Sequence, residues 1–151
     1  MTATNHALTG AFIGLASGNP YIALPAAVLS HFACDSLPHF GAGEDSLRTS
    51  WFRNMLVIEA VVCALIVSFL ALRHPAHWLL AAICAFLATS PDFMWIQSFR
   101  RAQTGRATAV VTPSLLLRFH AAIQWFERPI GAVFELAWAM AAVALIKLYI
   151  V

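Results

Sequence analysis

His31 and Asp35 are separated by one helix turn inside an apolar stretch of this 151-residue chain. Side chains at positions i and i+4 stack on the same face of a helix, so the imidazole and the carboxylate would lie together. Imidazole and carboxylate together suit zinc, and also iron or manganese. The pair therefore predicts either part of a metal site or, more simply, a hydrogen bond across one turn.

Other ionisable residues lie at the same end of the apolar segments as this pair. Acidic side chains inside a membrane each cost a few kcal/mol or more, and therefore mark functional sites. Five of the seven acidic residues lie in or beside apolar segments: Asp35, Glu59, Asp92, Glu127 and Glu135. With His6, His39 and His120 at the same depth, a shared site for a divalent metal is favoured over an isolated hydrogen bond.

One further segment places polar groups on a single helix face. His120, Gln124 and Glu127 recur at i, i+4 and i+7, which brings them to one side. Gln124 is expected to orient the metal ligands. Glu59 and Glu135 are expected either to orient ligand histidines or to pair with arginine.

The composition indicates a membrane protein and excludes nucleic-acid binding. The chain is 61% hydrophobic and 11% charged, whereas soluble domains are about half apolar and a quarter charged. The formal net charge is only +2 and the basic residues form no stripe, so the sequence has no basic surface of the kind that binds nucleic acid. The cysteines are widely spaced and form no CxxC pair, which argues against disulfides and thiolate zinc sites.

The hydropathy pattern predicts an all-α, polytopic transmembrane bundle that forms a single integral membrane domain over residues 1–151. It has about four or five spans, because the first segment is short and is expected either to cross the bilayer or to re-enter. Asn5 is the expected cap of that segment, and the second and fourth segments end near prolines. The apolar segments cover residues 7–17, 21–37, 52–72, 76–96 and 129–151, and residues 114–128 predict an amphipathic helix at the interface.

The positive charges predict the orientation. Seven of the nine basic residues lie on one side, between segments two and three, at the start of segment three (Arg53) or between segments four and five, and the positive-inside rule makes that side cytoplasmic. The start of the chain lacks a positive n-region, so no cleavable signal peptide is expected. We therefore expect an integral protein of the bacterial inner membrane. His74 and His77, beside Arg73 at the opposite end of the bundle, are interpreted as interfacial residues.

Residues 30–41 (SHFACDSLPHFG), together with His6-Ala7-Leu8-Thr9-Gly10, resemble the small membrane-bound metal-dependent hydrolases of the YdjM type. The resemblance implies that His6, His31 and Asp35 are metal ligands and that His39 is a fourth. It covers mainly the first 40 residues. Typical members also carry a Pro-Asp-x-Asp-His cluster, whereas Pro91-Asp92 is followed here by Phe93-Met94-Trp95.

The leading hypothesis is a metal-dependent hydrolase at the cytoplasmic membrane face. Asp92 and His120 are further candidate ligands, and Glu127 or Glu59 is the candidate general base. Membrane lipids are the expected partners, and a lipid ester or phosphoester is the expected substrate. An ion- or proton-binding transport protein and a non-catalytic structural or partner-binding membrane protein remain alternatives.

Overall fold

A computed structural model describes residues 1–41, 49–97, 99–100 and 114–150 of the chain. The described residues are mainly helical and contain no strand, which confirms the predicted all-α class. The helices are α1 (Ala3–Ser17), α2 (Pro20–Asp35), α3 (Ser50–Arg73), α4 (Trp78–Thr89), a 3-10 helix (Ser90–Trp95), α5 (Leu115–Ile123) and α6 (Gly131–Lys147). Residues 42–48 and 101–113, which include Glu44, Arg48 and Arg106, lie outside the described residues.

Helix α1 lies at the centre of the bundle and packs against α2, α3, α4 and α6. Its glycines allow a close approach to α4: a Cβ at Gly10 would overlap the Cys84 carbonyl, and a Cβ at Gly14 would overlap the Ala81 backbone. Small residues let helix backbones approach closely in this way. Because Gly10 faces the later part of α4 and Gly14 the earlier part, the two helices are antiparallel.

The start of α1 differs from the sequence prediction. The helix begins at Ala3 with Thr2 as its N-cap, so the expectation that Asn5 caps it is wrong. Glu135 accepts the Thr2 backbone N–H at 3.0 Å, and Glu59 accepts that of Thr4 at 2.7 Å. Two carboxylates from other helices therefore satisfy the N–H groups that a helix start leaves unpaired, which explains the earlier start.

Helices α3 and α4 with its 3-10 extension are long and apolar enough to cross a membrane, over Ser50–Arg73 and Trp78–Trp95. The other three helices of the bundle contain 15 to 17 residues, fewer than the roughly 20 of a full span. Four or five spans are therefore not supported by the helix lengths.

The exterior of the bundle is apolar. Leu70 is the buried residue of the 24-residue helix α3, and large side chains such as Val57, Ile58 and Leu65 are exposed. Extended apolar surface of this kind is rare on soluble monomers and marks contact with a membrane or a protein.

The end of α4 places a ligand candidate beside the bundle. The α-helix changes to a 3-10 helix at Ser90, immediately before Pro91, which cannot donate a backbone hydrogen bond. The change directs Asp92 toward the end of α2. Helix α5 is shorter than the predicted amphipathic segment and stops at Ile123, after which residues 126–128 pair with residues 39–41 as extended chain.

Candidate metal centre

His31 and Asp35 lie together at the end of α2, as the sequence spacing predicts. The His31 Nδ1–H donates to the carbonyl oxygen of Ala88 at 2.7 Å. That carbonyl belongs to the last turn of α4, where backbone oxygens lack helical partners. With Nδ1 fixed, the Nε2 atom of His31 faces the Asp35 carboxylate, 3.3 Å from Oδ2. A backbone carbonyl on the outer ring nitrogen is the usual way of orienting a metal-binding histidine.

Helix α5 brings His120 and Gln124 to the same carboxylate. The Nε2 atom of His120 lies 2.7 Å from Asp35 Oδ2 and 3.1 Å from His31 Nε2. Gln124 donates to Asp35 Oδ2 at 3.1 Å, so the predicted i and i+4 pair does share one face. The outer nitrogen of His120 faces the Met94 sulfur at 3.3 Å.

Asp92 completes the group at its exposed side. Its Oδ1 atom is 3.6 Å from His31 Nε2, and its side chain is 35% exposed, whereas the side chains of His31 and Asp35 are fully buried. One ligand atom from each of His31, Asp35, Asp92 and His120 lies within 4.8 Å of the others. These four residues, the metal group, come from α2, the 3-10 helix and α5.

The spacing of the metal group fits a shared cation. A zinc ion binds nitrogen and oxygen ligand atoms at about 2.0 to 2.2 Å. When the ligand–zinc–ligand angle is near 90 to 110°, two such atoms lie roughly 2.8 to 3.6 Å from each other. The His31–His120, His31–Asp35 and His31–Asp92 separations of 3.1, 3.3 and 3.6 Å fall in this range, and the His120–Asp35 separation of 2.7 Å lies just below it. Two carboxylates would balance the charge of a divalent ion, and the Met1 ammonium lies against only one oxygen of the buried Asp35 carboxylate. The group can therefore hold a metal ion.

His6 lies beside the metal group but is not one of its four members. It is fully buried in α1, and its ring stacks on that of His31 with centroids 4.0 Å apart. Its Nε2 atom is 3.1 Å from Asp35 Oδ1, the oxygen that faces away from His120. The structure thus places His6 beside the Asp35 carboxylate, at its other oxygen.

His39 and Glu127 are neighbours of each other rather than members of the group. Their backbones form a parallel bridge, and the buried His39 ring donates through Nδ1 to the Leu37 carbonyl at 2.8 Å. Glu127 is exposed, and its side chain packs against Gly41. The structure places both beyond the group of four, where they connect residues 39–41 to the chain that follows α5.

The remaining predicted acids hold α1 in place. Glu135 accepts hydrogen bonds from Thr2, Asn5 and Phe40, and Glu59 accepts one from Thr4. Of the two predicted roles, pairing with arginine and orienting a ligand histidine, these contacts favour the second, since they fix the helix turn that carries His6.

Sequence reasoning missed two partners of His31 and His120. The Ala88 carbonyl carries no side-chain signal, so only the fold reveals it. Met94 lies two residues after Asp92, where an apolar side chain is expected to pack, not to face an imidazole nitrogen.

Comparison with known proteins adds no assignment. No protein-family model, curated protein or solved structure matches this chain.

Proposed function

We propose that this chain is an integral membrane protein that binds a divalent metal ion and uses it to hydrolyse a lipid ester or phosphoester. The observation that carries the proposal is the convergence of His31 Nε2 and His120 Nε2 on the buried Asp35 carboxylate. Zinc is the proposed ion, with iron and manganese as alternatives that the same ligands accept.

Membrane integration is supported by the apolar exterior. Exposed large side chains occur on α2, α3, α4 and α6, and the two longest apolar helical segments can each span a bilayer. We propose that the shorter helices α1, α2 and α6 are also embedded, with α1 enclosed by its neighbours. The positive-inside rule then places the metal group at the cytoplasmic face of a bacterial inner membrane.

Three members of the metal group are buried and Asp92 is partly exposed, which supports a catalytic site over a purely structural one. Catalytic zinc sites hold the ion with three protein ligands and leave a fourth position for water. We assign His31, Asp35 and His120 as those three ligands, since all are buried. The open position would lie beside Asp92, whose side chain is partly exposed.

Asp92 is the proposed general base. A bound metal would lower the pKa of its water to about 7 and polarise the scissile group. Asp92, at the exposed side of the group, would accept the proton of that water. This role replaces the earlier candidates Glu127 and Glu59, whose contacts lie at Gly41 and at Thr4.

The location of the group supports a lipid-like substrate. It lies where α1 begins and α2 and α4 end, so it would face the headgroup region of the bilayer. Helix α5 exposes Leu115, Leu116 and Phe119 while burying His120. An interfacial helix that exposes apolar side chains to the bilayer and buries His120 would hold this histidine at the depth of the lipid ester and phosphate groups.

The test is hydrolysis of ester and phosphoester lipids in vesicles by the purified protein, with Asp92→Asn beside the wild type. We expect the variant to retain its metal and to lose about 100-fold or more in rate, the usual contribution of a general base. His31→Ala should lose both metal and activity. Metal-loaded wild type without activity on either lipid class would refute the hydrolase proposal and leave the metal site standing.

A further inference from the structure

The two oxygens of the Asp35 carboxylate have separate surroundings. Oδ2 faces His31, His120 and Gln124. Oδ1 faces His6 at 3.1 Å and the Met1 ammonium. A carboxylate whose oxygens point into two different sets of ligands has the geometry of a bridge between two cations.

His6 is the group that the single-ion site leaves unexplained. Its side chain is fully buried, and neither of its ring nitrogens has a hydrogen-bond partner among the described residues. Although Nε2 is 3.1 Å from Asp35 Oδ1, the approach does not have hydrogen-bond geometry. A buried polar group without a partner costs about 1 to 3 kcal/mol, so its presence requires a reason.

A cation between the two atoms supplies that reason. The 3.1 Å separation of His6 Nε2 and Asp35 Oδ1 is that of two ligand atoms sharing one ion at about 2.1 Å. A metal ion accepts the imidazole lone pair directly and does not need an N–H aimed at the carboxylate.

The structure also holds His6 in one orientation. Its ring stacks on His31, with an angle of 24° between the ring planes. Glu59 and Glu135 accept N–H groups of the first turn of α1, so the helix cannot easily slide along its axis. Ligands held rigidly before binding favour a defined metal position.

We propose that a second divalent cation binds between His6 Nε2 and Asp35 Oδ1, so that Asp35 bridges two ions. The inference rests on the proposed metal group and extends it to a two-metal centre. Pairs of ions about 3.5 to 4 Å apart serve phosphoester hydrolysis by stabilising both the attacking and the leaving oxygen. Zinc, manganese and iron suit the imidazole–carboxylate set.

A rival cation is already present. The Met1 ammonium lies against Asp35 Oδ1 and can balance the charge of that oxygen without a second metal. The proposed ion would take its place beside Oδ1. The number of metal ions per chain therefore decides between the two arrangements.

The experiment is titration of metal-free, detergent-purified protein with Mn²⁺, read by bound metal per chain and by electron paramagnetic resonance. We expect two ions per wild-type chain and the signal of an exchange-coupled pair. His6→Phe keeps the ring that stacks on His31 but removes both nitrogens, so it should bind one ion with the signal of an isolated Mn²⁺. The retained ion reports that this variant is folded.

The control is His74→Asn, which changes an exposed histidine at the other end of the bundle and should keep both ions. One ion per wild-type chain, unchanged in His6→Phe and lost in His31→Ala, would overturn the second site and leave the first intact. Absence of bound metal from the wild type would overturn both.

Discussion

The two ends of the bundle carry histidines in opposite surroundings. At one end, His6, His31 and His120 are fully buried and lie around Asp35. At the other end, His74 and His77 are exposed, with backbone in the left-handed region at φ 49° and 62°. His74 contacts the Trp78 ring, and His77 lies against Gly18.

The difference shows that burial beside a carboxylate, not the residue type, defines the candidate site. The exposed histidines terminate α3 and precede α4, where they can remain hydrated. The buried ones surround a charge that the apolar bundle cannot solvate. The exposed end therefore supplies matched controls for variants at the buried one.

The largest effect is expected from removing the shared carboxylate. Asp35→Ala removes the carboxylate that His31, His120 and Gln124 share and leaves the buried Met1 ammonium without its counter-charge, which should lower the free energy of unfolding by about 3 to 5 kcal/mol. Asp92→Ala, at the exposed side of the group, should cost less than half as much. Chemical unfolding in detergent micelles measures the free energy of unfolding of both variants. Equal losses of this free energy would show that burial does not distinguish Asp35 from Asp92.

Close packing of α1 on α4 should be the next most sensitive feature. Gly10→Val adds side-chain atoms where even a Cβ would overlap the Cys84 carbonyl, and should destabilise the protein by about 3 kcal/mol. Ala60→Val, on the exposed face of α3, adds two carbon atoms where Gly10→Val adds three, and should change little. Comparable unfolding curves for the two variants would contradict the central position of α1.

A smaller effect is expected from Gln124, which touches the ligands without belonging to the metal group. Gln124→Leu removes its hydrogen bond to Asp35 and should weaken metal binding about 10- to 100-fold, the usual result of losing an orienting partner. Gln97→Leu changes an exposed glutamine and is the control. Competition with a chelator of known affinity measures both, and equal affinities would remove Gln124 from the site.

The smallest effect should come from Glu135→Gln. The amide keeps one acceptor oxygen but replaces a charged acceptor at the start of α1, so a loss of about 1 kcal/mol is expected. Glu127→Gln, at an exposed acid, should be neutral within the error of thermal unfolding. A larger loss for Glu127 than for Glu135 would contradict the proposed anchoring of α1.

Much of this arrangement follows from local sequence. The mainly apolar segment at residues 52–72 predicted α3 almost to its observed bounds, Ser50–Arg73. The four-residue spacing placed His31 beside Asp35, and the i and i+4 spacing placed Gln124 beside His120. Helix periodicity alone determines these neighbours.

Contacts between distant segments were harder to predict. Depth along each segment suggested that His39 and Asp92 would both join the group, but position along a helix axis does not fix which way a side chain points. The 3-10 turn at Pro91 directs Asp92 inward, whereas the pairing of His39 with residues 126–128 holds its backbone elsewhere. The carboxylates that extend α1 to Ala3 come from α3 and α6, so no local pattern could reveal them.

The central claim is that the buried histidine–aspartate end holds a metal ion and the exposed histidine end does not. Elemental analysis of purified wild type, His31→Ala, Asp35→Ala and His74→Asn tests it most directly. We predict near-stoichiometric or higher metal in the wild type and in His74→Asn, and its loss from the other two variants while their helical content is retained. A metal-free wild type after reconstitution, or equal metal in all four proteins, would contradict the claim.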